Sequence, residues 1–294
     1  MYQSQQLNRL CRNLANSIEE DFSRVGFFFR IFDRVKAQKS TDYKIKTKGA
    51  NYYDGKTKFI RDIIGIRIVL YFPDDIPILQ NRLKKKYNVV EETIDKTDTT
   101  NFQPIRINLV CKLPKEFTSE FNDLVQDPII DTTFEIQLRT VLSEGWHEVD
   151  HDLRYKCKDD WKDSNDLSRN FNGILATLET SEYAILRVFD QLSHRHYKSM
   201  NIVGMFRSKF RLRLENFNLN SKILDVFEII VLREFYKIDR IEVITFFLDS
   251  NIILPMTLEN FILIINYQFI QNETLTILTP QLLLEELKRN AEIK

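Results

Sequence analysis

The spacing of apolar residues divides the chain into a longer first part, where helical and strand patterns alternate, and a final part that is helical throughout. Between residues 3 and 24, Leu7, Leu10, Cys11, Leu14 and Ile18 fall on one stripe, which predicts an amphipathic helix. After Gly26 the period shortens to two over FFFRIFDRVK, which predicts a strand. One face would carry Phe27, Phe29, Ile31 and Val35, the other Arg30, Phe32, Arg34 and Lys36. A short helix from about 40 to 48 should end at Gly49. The apolar run 62–72 predicts a strand, 74–87 a helix, and 88–94, 104–113 and 132–139 further strands. In the last of these, Phe134, Ile136 and Leu138 alternate with Glu135, Gln137 and Arg139. Helices are expected at 141–157 and 167–198.

From about residue 200 the composition shifts to Ile, Leu, Phe and Asn, with helical spacing over 221–237, 239–249, 256–270 and 280–290. Pro280 suits the first turn of the last helix. The expected fold class is therefore α+β: a mixed β-sheet flanked by helices over 1–198, then a small all-α domain over 199–294 with no legible chemistry.

Composition narrows the function classes. The 42 basic and 42 acidic residues give zero net charge, so attraction for polyanions must come from local clusters such as Lys84–Lys86 or Arg207–Arg213. Both also read as solvated helix surface. With 7 glycines and no GxGxxG or GxxxxGK, the glycine-rich phosphate loops are excluded. Cys11, Cys111 and Cys157 are scattered and odd in number, as expected for reduced thiols in a cytoplasmic protein. The polar N-terminus lacks a signal-peptide pattern, and no apolar run is long enough to cross a membrane.

Four clusters carry candidate chemistry. Arg34, Lys36, Ser40 and Lys44 bring cations to a strand end and a helix start, a polyphosphate site without glycines or a solvated basic edge. Asp62 heads an apolar strand that also holds Arg67, as a metal ligand or a cap. Glu135, Gln137 and Arg139 share a strand face that can bind Mg²⁺, take a proton and offset phosphate charge, or simply meet solvent. The fourth, WHEVDHDLRYK, contains HExxH, so His147, Glu148 and His151 also fit a zinc metalloprotease helix, with Glu179 as a further ligand.

Taken in order, RVKAQKSTDYK at 34–44, RDIIGIRIVLYF at 61–72, TFEIQLRT at 133–140 and WHEVDHDLRYK at 146–156 resemble the synthetase domain of the RelA/SpoT family, the (p)ppGpp synthetases or GTP pyrophosphokinases. The resemblance spans about 27–156 and makes the HExxH match a coincidence. It implies a nucleotidyltransferase-like sheet and transfer of the β,γ-diphosphate of ATP to a nucleotide 3′ hydroxyl. It implies ATP binding by Arg34, Lys36, Ser40, Lys44 and Arg67, and Mg²⁺ on Asp62 and Glu135. Glu135 would bind that Mg²⁺ or act as base on the acceptor 3′ hydroxyl, with Gln137 beside it, and Arg139, His151, Tyr155 and Lys156 would support the site. The family's Y-x-S-x-H acceptor loop is replaced by NFQPIRINLVCKL, where Phe102, Arg106 and Asn108 are the acceptor candidates. The acceptor is therefore GDP, GTP, another nucleotide or the tRNA 3′ end, and a nucleotide sensor without transfer chemistry is the alternative. Neither the family's long-form hydrolase nor its ribosome-sensing domains are expected. The helical tail would serve a homo-oligomer, an antitoxin or a regulatory partner.

Overall fold

A computed structural model describes residues 4–49, 52–94 and 107–292. The first helix, α1 (Ser4–Val25), buries Leu7, Leu10, Cys11, Leu14 and Ile18, the stripe read from the sequence. Gly26 ends it at φ +89°, a conformation that suits a residue without a side chain. A Cβ there would also lie 2.6 Å from the Arg213 carbonyl oxygen.

Five strands form one mixed sheet: β1 (Phe29–Val35), β2 (Ile64–Leu70), β3 (Val89–Ile94), β4 (Ile107–Lys112) and β5 (Thr133–Thr140). Their order is β1-β2-β5-β4-β3, with β2 and β5 parallel and the other neighbours antiparallel. The central strands bury Ile64, Ile66, Ile68, Phe134, Ile136 and Leu138 on one face. Cys11 approaches the Gly65 carbonyl and Arg12 pairs with Asp33 on β1, which places α1 on that side of the sheet. Burial pushes the thiols of Cys11 and Cys111 up to about 12, so both are inert packing groups.

Four further helices complete this part: α2 (Gln38–Lys48), α3 (Ile76–Lys86), α4 (Lys115–Leu124) and α5 (Val141–Asp150). The sequence reading had no counterpart for α4, a ten-residue helix with Phe121 buried. The expected single helix over 141–157 is instead α5 followed by a π-helical turn, His151–Tyr155. Thr140 caps α5 with Ser143, and Glu182 accepts the Leu142 N–H at 3.2 Å. Glu182 belongs to α6 (Asn165–Lys198).

The chain forms two compact units, one of residues up to Glu19 with Phe29–Glu182, the other of Glu20–Phe28 with Tyr183 onward. The composition shift near 200 thus falls inside the second unit, whose first residues come from the end of α1 and the end of α6. That unit adds α7 (Ile202–Phe210), α8 (Ser221–Val226), α9 (Ile229–Lys237), α10 (Arg240–Asp249), α11 (Leu258–Ile265), α12 (Glu273–Leu278) and α13 (Gln281–Glu292). Its core is aromatic: the Phe210–Phe261 and Phe247–Phe261 ring centroids lie 4.9 and 5.0 Å apart. Among the described residues, no helix is long and apolar enough to cross a membrane.

Candidate active site

Sheet register builds the site. On β2 and β5, Gly65 pairs with Glu135, Arg67 with Gln137 and Val69 with Arg139. Asn108 on β4 pairs with Gln137, while Phe32 and Arg34 on β1 pair with Arg67 and Gly65. Alternation therefore gathers the polar side chains on the face opposite the isoleucine layer. They floor a cavity of about 760 Å³, with the end of α5 and the π turn as its wall.

At one edge stands a cluster of opposite charges. The Lys36 backbone N–H donates to the Ile63 carbonyl at 2.8 Å, which sets the end of β1 beside the start of β2. Lys36 and Lys44 then donate to the same Asp62 oxygen, Oδ2, at 2.5 and 2.9 Å. Burial would raise the Asp62 pKa, but the two ammonium groups outweigh it and hold the carboxyl below its ordinary range. Burial likewise works against the charge on Lys44, yet Asp62 raises its pKa on balance. Asp62 Oδ1 is buried with no hydrogen-bond partner. Such an orphaned carboxylate oxygen fits a hard cation, and Glu135 on the same cavity floor can supply a second oxygen. Among the described residues, no group of three or more His, Cys, Asp or Glu could hold a metal by itself. The donor set therefore suits Mg²⁺, which takes one or two carboxylates and completes its shell with water and phosphate oxygens.

The floor is organised by Arg67. Its Nη1 donates to Glu144 at 2.5 Å and also to Glu148, while its Nε donates to Gln137 Oε1 at 3.1 Å. Burial opposes the Arg67 charge, but Glu144 and Glu148 raise its pKa on balance. Because Gln137 Oε1 accepts from Arg67, its amide nitrogen is turned toward Glu135 Oε2, 2.9 Å away. Arg139, 6% exposed, donates to the Leu138 carbonyl and to Asn108 Oδ1, so it braces the floor beneath the surface.

The wall is held from behind. Arg154 donates to Asp150 at 2.6 Å and to Asn172 at 2.9 Å. Its guanidinium also faces the rings of Phe171, Trp146 and Trp161 at 4.9, 5.4 and 5.9 Å. Thus anchored, the π turn presents His151, Tyr155 and Lys156 to the cavity. Asp152 accepts from Lys156 at 2.7 Å and lies 2.9 Å from His151 Nδ1.

The candidate residues divide by position. Arg34, Asp62, Arg67, Asn108, Glu135 and Gln137 line the cavity, as do Arg139, His151, Tyr155 and Lys156. Lys36 and Lys44 reach it through Asp62. Ser40 is exposed in the first turn of α2 and does not line it. Phe102 and Arg106 lie outside the described residues. The zinc reading of HExxH finds no support, because His147 is buried while His151 is exposed and engaged with Asp152. Sequence reasoning missed Phe32 as a cavity residue and the pairing of Glu144 and Glu148 with Arg67. The four-residue spacing of the two glutamates, which puts them on one helix face, was the available signal for the latter.

A family model described as "Region found in RelA / SpoT proteins" matches residues 33–160. Two curated proteins of Bacillus subtilis (strain 168) are similar. GTP pyrophosphokinase YjbM is 30% identical over 141 residues, 47% of this chain and 60% of that protein. GTP pyrophosphokinase YwaC is 26% identical over 132 residues, 43% of this chain and 58% of that protein. The chain thus spans about 60% of the length of these relatives. The crystal structure of small alarmone synthetase 2 from Bacillus subtilis superposes with a TM-score of 0.45 at 20% identity, covering 62% of this chain and 96% of that one.

Proposed function

Because residues 33–160 match a RelA/SpoT region, we propose that the chain is a nucleotide pyrophosphokinase that moves the β,γ-diphosphate of ATP to the 3′ hydroxyl of a guanosine nucleotide. The observation that carries this reading is one cavity holding both halves of the chemistry: Arg34, Lys36, Lys44 and Asp62 at its edge, Glu135 and Gln137 on its floor. Curated relatives named GTP pyrophosphokinases support the choice of reaction and acceptor.

Arg34, Lys36 and Lys44 would bind the triphosphate as fixed positive charges. Asp62, with Glu135, would hold Mg²⁺, which when bound supplies further neutralisation of phosphate charge. Glu135 would accept the proton of the acceptor hydroxyl, its carboxylate oriented by the Gln137 amide. The acceptor 3′ oxygen then forms a bond to the β-phosphorus. The bond from that phosphorus to the bridging α–β oxygen breaks, and AMP leaves with the electron pair. Positioning and charge neutralisation carry most of the rate enhancement in such a transfer. Asn108, which accepts from Arg139 and lines the cavity, would meet the acceptor.

The test is incubation with Mg²⁺ and γ-labelled ATP, offering GDP, GTP, ADP, AMP and bulk tRNA in parallel. Label is expected on GDP or GTP, and Glu135→Gln should lower the rate at least ~100-fold while ATP binding persists. Label on tRNA alone would replace the guanosine nucleotide as acceptor, and ATP binding without any transfer would make the chain a nucleotide sensor.

A further inference from the structure

The second unit carries a cluster of cations that the transfer chemistry does not use. Lys209, in the last turn of α7, is half-buried, and among the described residues its ammonium makes no hydrogen bond or ion pair. It lies 5.4 Å from the centre of the Tyr236 ring on α9, which stacks at 4.5 Å on Tyr197 of α6. The Tyr236 hydroxyl meets His194 Nδ1 at 3.3 Å. Two buried guanidinium groups, of Arg211 and Arg240, stand within electrostatic reach of the same ammonium. Arg240 donates to the Phe210 carbonyl at 2.9 Å, and Arg211 approaches Asp190 at 3.6 Å.

The charges are unevenly placed. Asp190 and Asp239, the two carboxylates that act on Lys209, are exposed, whereas the three cations are half-buried or buried. Water and salt screen an exposed carboxylate, while a cation withdrawn from water keeps most of its field, so the cluster is left positive. Burial pulls the Lys209 pKa below its ordinary value; Asp239 and Asp190 oppose that, and Arg211 and Arg240 reinforce it. Arg211 also ends α7 at φ +50°, a left-handed conformation that disfavours a residue with a side chain. Ser193 stands on the α6 face of Asp190, His194 and Tyr197, and its Oγ is buried with no hydrogen-bond partner. We propose that this cluster binds a phosphate group, with Lys209 as its direct cationic ligand. Tyr236, His194 and Ser193 serve as hydrogen-bond donors, and Arg211 and Arg240 supply the positive field behind them. Donors from three helices suit a tetrahedral anion with four oxygens better than a planar carboxylate. Every residue of the site belongs to the second unit, so the inference stands apart from the pyrophosphokinase reading.

The experiment is trace acetylation of the full wild-type chain by acetic anhydride at constant ionic strength, read at each lysine by mass spectrometry. The amine attacks a carbonyl carbon of the anhydride, acetate leaves and the nitrogen's proton passes to solvent, so the rate reports how open and unprotonated each amine is. Inorganic phosphate should slow Lys209 along a saturation curve, to about a tenth of its initial rate at ten times Kd. Acetate at the same ionic strength should leave that rate within about twofold. Ribose 5-phosphate is the second arm: stronger protection than by inorganic phosphate identifies a monoester as the ligand, and equal or weaker protection identifies the free ion. Lys36 and Lys44 are read in the same spectra, so phosphate held in the transfer cavity is told apart from phosphate held at Lys209. Tyr236→Phe keeps the ring and removes the hydroxyl, and it should raise the concentration for half-protection about tenfold. Protection of Lys209 under about twofold by both phosphates, or equal protection by acetate, would overturn the proposal. An unchanged half-protection concentration in Tyr236→Phe would overturn the role of that hydroxyl.

Discussion

A single carboxylate oxygen on Asp62 receives two ammonium groups, while its other oxygen is buried without a hydrogen bond. That asymmetry has a pH consequence. The Asp62 pKa lies below its ordinary value of 3.8, so its part in the cluster's stability is present above that pH and lost as pH falls through the depressed value. The Lys44 pKa lies above 10.5, so its part is present below that pH and lost as pH rises through the raised value. The difference in unfolding free energy between wild type and Asp62→Asn should therefore stay flat from about pH 5 to 9 and change only outside that window. Denaturant titrations across pH would check it; a step inside the window would contradict a charged Asp62 paired with a charged Lys44. The residue types of this cluster were legible in the sequence because strand alternation and a nearby helix start bring Arg34, Lys36 and Lys44 together. That both lysines share one oxygen of Asp62 was not legible, since it depends on the backbone bond from Lys36 to Ile63.

At the level of elements, the sheet was read well because β5 alternates Phe134, Ile136 and Leu138 with Glu135, Gln137 and Arg139, while β2 stands out as a nearly continuous apolar run. The helix α4 was missed although Phe117, Phe121 and Leu124 stand at helical spacing, so the signal was present in the sequence. The π turn escaped for a different reason: HDLRY continues the helical spacing of α5, and no apolar period marks the change of hydrogen bonding over His151–Tyr155, the turn that carries Arg154. Three rings and Asp150 hold that guanidinium, so Arg154→Ala leaves Asp150, which is buried, without this partner and empties the space beside the stacked rings of Trp146 and Phe171. A loss of about 2–4 kcal/mol in unfolding free energy is expected, with Arg154→Lys recovering only part, because an ammonium cannot reproduce the planar contacts. Denaturant unfolding of the full chain reads both values, and a loss under about 0.5 kcal/mol would show that the turn is held by other contacts.

For the whole molecule, 42 basic and 42 acidic side chains cancel, so nucleotide recognition has to be local. Binding of the donor to the folded chain should then stabilise it by mass action, about 2.7 kcal/mol at a hundredfold excess over Kd. Because Asp62 Oδ1 is suited to a cation, the rise in Tm caused by α,β-methylene-ATP should shrink sharply when Mg²⁺ is removed by a chelator. An equal rise with and without the metal would assign nucleotide binding to the cations alone. The second unit illustrates what sequence does not convey at this scale: its helices were legible from apolar spacing, but its Phe-rich core carries no chemistry that spacing alone could reveal. The acceptor side was legible least, because the stretch with Phe102 and Arg106 departs from the Y-x-S-x-H pattern of the family that the sequence resembles.

The most direct measurement is the identity of the adenine nucleotide released when the protein is supplied with ATP, Mg²⁺ and GDP or GTP. Diphosphate transfer through attack at the β-phosphorus is expected to release one AMP for each acceptor molecule that gains two phosphates. Formation of ADP instead, or of AMP with inorganic pyrophosphate and an unchanged acceptor, would contradict it.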